Sequence, residues 1–107
     1  MSKEADRARM IERHNLVVRI IEINSQQMRC ESTRAGLDIE RACAVRDAAL
    51  PNASPGLHQL IATLDQRMAA LADESQRLAT QREFLNTALT DFDGGASDAD
   101  IDPVGQA

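Results

Sequence analysis

In the second half of the chain, Leu57, Ile61, Leu64, Met68, Leu71, Ser75, Leu78, Arg82, Leu85, Leu89 and Phe92 follow alternating steps of four and three. Nine of these eleven positions are large and apolar, a heptad seam of the kind that drives one helix against another. Ser54 is a candidate N-cap with Pro55 at the first helical position, and Gly94-Gly95 mark a stop. The pattern predicts a helix over 55–93.

The first half carries a weaker seam at Met10, His14, Val17, Ile21, Asn24, Met28, Glu31, Ala35, Asp38, Ala42, Val45 and Ala49, which predicts a helix over 3–50. Between the helices, "LPNASPG" packs two prolines, an Asn and a Gly into seven residues. That is a helix stop followed by a helix start, with the turn at 51–54. Short connections make antiparallel neighbours, so residues 1–93 are expected to form an all-α, antiparallel two-helix coiled-coil hairpin. Setting Ala49 against Leu57 pairs Met28 with Leu78, Ile21 with Leu85, Glu31 with Ser75 and Asn24 with Arg82. Asn24, Glu31, Ser75 and Arg82 are thus expected to set the register, since polar seam residues trade stability for a unique alignment. Gly36 costs about 1 kcal/mol relative to Ala inside a helix. It is read as a tolerated glycine in a continuous helix, with a break as the alternative.

The stretch "LVVRIIEI" at 16–23 resembles a strand in composition, but it has no sheet to join. At helical period it supplies two stripes. Val17 and Ile21 belong to the seam above, whereas Leu16, Ile20 and Ile23 begin a second stripe that continues through Cys30, Leu37 and Ala44, interrupted by Gln27, Arg34 and Arg41. The stripes lie about 100° apart around the helix, so one hairpin cannot cover both. Leu16, Ile20, Ile23, Cys30 and Leu37 are therefore expected to form a dimer or partner interface, most simply closing two hairpins into a four-helix bundle with Phe84 contributing.

Composition narrows the function classes. The chain has 107 residues, no Trp, no Tyr and two Phe, which disfavours base stacking on single-stranded nucleic acid. Residues 1–46 hold nine Lys/Arg against seven Asp/Glu and residues 47–107 three against ten, +2 and −7 within the total of −5. An acidic chain has no general affinity for phosphate backbones, and no nucleic-acid partner is expected. The tail 94–107 is acidic and poor in apolar residues, and is expected to be disordered. No long uncharged apolar run or signal-peptide region is present, so the expectation is a cytoplasmic protein with reduced thiols and no membrane partner. Cys30 and Cys43, about 20 Å apart in rise on one helix, cannot bridge within the chain.

No chemistry-bearing constellation emerges. His14 and His58, the only histidines, fall at opposite ends of the expected hairpin, and there is no phosphate loop, CxxC or HExxH. We expect no catalytic residues, no metal site and no cofactor. The function read from sequence is a small protein–protein interaction module, an adaptor, chaperone or inhibitor (anti-activator) that presents an apolar helix face to itself and to an unidentified protein. The alternative is a structural assembly subunit of a larger helical complex, such as a secretion apparatus.

Overall fold

The computed structural model describes the backbone of residues 2–105 and the side chains of residues 2–94. Two helices, α1 (Lys3–Ala48) and α2 (Leu57–Gly105), make up the architecture, and no strand occurs among the described residues. The fold is all-α and fits a helical hairpin. The acidic tail expected to be disordered over 94–107 lies, past Gly94, outside the described side chains.

Local chemistry places the helix ends. Ser2 caps α1: its Oγ accepts from the Ala5 N–H at 3.1 Å and its carbonyl from the Asp6 N–H at 3.3 Å, which satisfies donors that have no intrahelical partner. Glu4 and Asp6 in the first turn and Arg46 in the last complement the helix dipole. Beyond Ala48 the chain unwinds through three-residue turns, with the Ala49 N–H on the Arg46 carbonyl and the Leu50 N–H on the Asp47 carbonyl. The second helix starts slightly later than the Ser54-Pro55 signal suggests. Gly56 is the N-cap, its carbonyl taking the Leu60 N–H at 3.0 Å, while the Ser54 carbonyl takes the Leu57 N–H at 3.2 Å in a preceding turn. Pro55 lacks the N–H that this turn does not need. Gly36 sits within an unbroken α1, and a Cβ there would meet nothing within 4 Å.

The helices contribute to two compact units, one of residues up to Asn24 with those from Thr80 onward, the other of Ser25–Ala79. In the second unit Leu37, Ala44, Leu64 and Leu78 are buried; in the first, Ile23 is buried. On α2, all eleven seam positions from Leu57 to Phe92 are buried or half-buried, as the heptad pattern requires.

On α1 the outcome reverses the expectation. Leu16, Ile20, Ile23, Cys30, Leu37 and Ala44, expected to face outward, are the buried and half-buried positions, whereas Met10, His14, Ile21, Met28, Glu31, Ala35, Asp38, Ala42 and Val45 of the expected seam are exposed. The helix is turned by about one residue, or 100°. Polar chemistry accounts for the choice. The expected seam would bury the short carboxylates Glu31 and Asp38, whereas the observed one contains Arg41, whose long stem reaches out of the seam to an ion pair with Asp65. Gln27 is the weak position of the observed seam, because its Oε1 is buried without a hydrogen-bond partner among the described residues.

The alignment along the helix axes follows the sequence reading. In the first unit Arg82 donates to Asn24 Oδ1 at 3.4 Å and Arg13 pairs with Asp93 at 2.9 Å; in the second, Arg41 pairs with Asp65. All three pairs conform to the alignment that sets Ala49 against Leu57. Of the four expected register residues, Asn24 and Arg82 meet. Glu31 does not face Ser75: Ser75 is half-buried, while Glu31 is exposed and lines an open hollow with Arg34, Ala35, Asp38 and Met68.

Candidate interaction surface

In the unit built from the N-terminal part of α1 and the later part of α2, arginines clasp the two helices. Arg13 presents its guanidinium to both carboxylate oxygens of Asp93, at 2.9 and 3.1 Å. This fork geometry is the strong form of an exposed ion pair. The hydrogen bond from Arg13 holds the Asp93 carboxyl below the usual carboxylate range. One turn earlier, Arg9 donates to the Phe92 carbonyl at 2.9 Å and lies over the Phe92 ring, 4.4 Å from its centroid. Such a cation–π contact contributes about 0.5–1 kcal/mol at an exposed site. Met10, next to Arg9 in the chain, lies on the adjoining face and is exposed.

That face is where apolar surface is left over. Met10 is 72% exposed, Ile11 55% and Ile21 57%, with Val18 and His14 exposed between them. Ile11, His14, Val18 and Ile21 are spaced by three, four and three, which places them in one row along α1. This third stripe is present in the sequence, but it is legible only after the rotation of α1 is known. Leu16, Ile20 and Ile23, the expected interface residues of this unit, are turned inward and belong to the hairpin itself. Cys30 and Leu37 are likewise turned inward, in the other unit.

A second apolar feature of the same unit lies on α2. Phe84 is 73% exposed and, with Leu85, Thr80, Gln81 and Arg19, lines an open hollow of about 370 Å³. Arg19 lies about 200° around α1 from Ile21, so this hollow and the Ile11–Ile21 row occupy different sides.

The other unit offers shallower features. Cys30 lines an open groove of about 360 Å³ with Arg29, Leu71, Arg77 and Leu78. Glu74 and Arg77, an ion pair one helical turn apart, flank it. Cys30 and Cys43 are both free thiols, and His14 and His58 are both exposed. No group of three His, Cys, Asp or Glu among the described residues is arranged to hold a metal ion. Among them, too, no helix is long and apolar enough to cross a membrane. Compared with protein-family models, with curated proteins and with solved structures, the chain matches none.

Proposed function

We propose that the chain is a protein–protein interaction module, an adaptor, chaperone or inhibitor that works in the cytoplasm by presenting the apolar flank of α1 to a partner protein, and that two hairpins close into a four-helix dimer. One observation carries the reading: among the described residues, ten large apolar side chains are exposed, whereas five apolar residues are buried. A hairpin with so small a core gains most by adding a further apolar layer from outside. The hollows named above are open ones, and an enzymatic role forms no part of the proposal. Acidic balance favours a protein partner over nucleic acid.

The test is capture from cell extract with the wild-type chain beside Met10→Glu/Ile21→Glu, two exposed positions where substitution leaves the hairpin core untouched. Proteins retained by the wild type and lost with the double variant support the reading. Equal retention by two chains of equal helicity refutes it.

A second reading, a subunit of an open helical assembly, draws on Phe84. Open assemblies need two unlike faces on one subunit, and the Phe84 hollow and the Ile11–Ile21 row are unlike. Growth of scattering mass with concentration, abolished by Phe84→Glu, is its signature.

A further inference from the structure

The row of exposed side chains on α1 is self-complementary. We infer that Ile11, His14, Val18 and Ile21 pack against the same row of a second copy, the two α1 helices running antiparallel about a twofold axis near residue 16. This inference rests on the interaction reading above and names the occupant of that face.

Two observations support a second copy. The first is spacing. About a twofold axis at residue 16, Ile11 of one copy falls opposite Ile21 of the other and His14 opposite Val18, so no apolar side chain of the row is left facing a charge. Sliding by one heptad toward the N-terminus would set Ile21 against Glu4 and Val18 against Arg7 instead. The second is charge. Arg7 ends the row on one side and forms no ion pair within the described residues, and Glu22, 3.9 Å from Arg19, lies at the other end. Antiparallel packing brings Arg7 of one copy toward Glu22 of the other, whereas parallel packing would stack like charges. His14 stands at the edge of its pairing with Val18, where its ring nitrogens keep access to water.

The arrangement separates this face from the Phe84 hollow, which stays open in the dimer. It also makes α1, rather than α2, the helix through which two copies meet. A partner protein that uses the same row would compete with the second copy.

Cysteine crosslinking tests the geometry. In a Cys30→Ala/Cys43→Ala background, Ile11→Cys and Ile21→Cys are made separately, both at exposed positions, and helicity is checked by circular dichroism. Under mild oxidation the two chains mixed should yield about tenfold more disulfide dimer than either chain alone, because only unlike pairs bring the sulfurs within bonding reach. Like-with-like crosslinking in either chain alone overturns the antiparallel arrangement. Light scattering of the wild type should give twice the chain mass, and Ile21→Glu should restore the single-chain mass with helicity retained. A wild type that scatters as one chain overturns the self-pairing. If such a single chain still captures a protein through Met10 and Ile21, the interaction reading survives; if it captures none, that reading fails as well.

Discussion

Ile21 and Ile23 are the same residue type two positions apart, and their environments are opposite. Ile23 is 2% exposed in the core of its unit and Ile21 is 57% exposed. Truncating each to Ala therefore measures the rotation of α1 directly. Removing three carbons from a buried isoleucine costs about 2–5 kcal/mol. Two helices can close around a small void more easily than a thick core can, so about 2–3 kcal/mol is expected at Ile23. At Ile21 little burial is lost, and Ala is the better helix former by a few tenths of a kcal/mol, so the net change is expected within about 0.5 kcal/mol of zero. Against a total stability of the order of 5–15 kcal/mol for a domain of this size, the first effect is large. Urea unfolding followed by far-ultraviolet circular dichroism reads it: with a slope of about 1–2 kcal/mol per molar urea, the midpoint of Ile23→Ala falls by roughly 1–3 M while that of Ile21→Ala stays in place. The comparison belongs at a protein concentration where further dilution no longer moves the midpoint, so that self-association does not contribute. Equal losses at the two positions, or a greater loss at Ile21, would refute the rotation and with it the exposed row on which the interaction surface depends.

Gly36 lies inside α1 with open space where a Cβ would stand, so Gly36→Ala should stabilise the chain by about 0.5–1 kcal/mol and raise Tm by a few degrees; an unchanged or lower Tm would show that α1 is interrupted there. Arg13 lowers the Asp93 pKa through their hydrogen bond, and a carboxyl whose folded pKa is depressed adds stability above its unfolded pKa that is lost as pH falls through the folded value. Wild type should thus lose more stability than Arg13→Gln over the acid range below the unfolded carboxyl pKa of about 3.9, with the two curves parallel above it. Curves parallel throughout the acid range would remove the Arg13–Asp93 clasp.

How far the fold is legible in the residues differs sharply between the two helices. On α2 the apolar positions form one dominant heptad row, the alternative faces are polar, and all eleven seam residues take the burial their spacing implies. The axial alignment of the hairpin is equally legible, because an eight-residue connection leaves few registers open and the Asn24–Arg82 pair is matched in only one of them. The rotation of α1 is a different matter. Residues 16–23 are apolar at two neighbouring stripes, and a count of apolar side chains does not separate them. The decision falls to what each stripe carries farther along, where Arg41 can leave the seam and meet Asp65, whereas Glu31 and Asp38 in the seam would lose water from their carboxylates. That reach depends on the distance and angle between the helices, which exist only once the chain is folded. The leftover face follows from the same choice: Met10, Ile11, Val18 and Ile21 are exposed because Leu16, Ile20 and Ile23 turned inward, and a single partner helix covers only one side of α1.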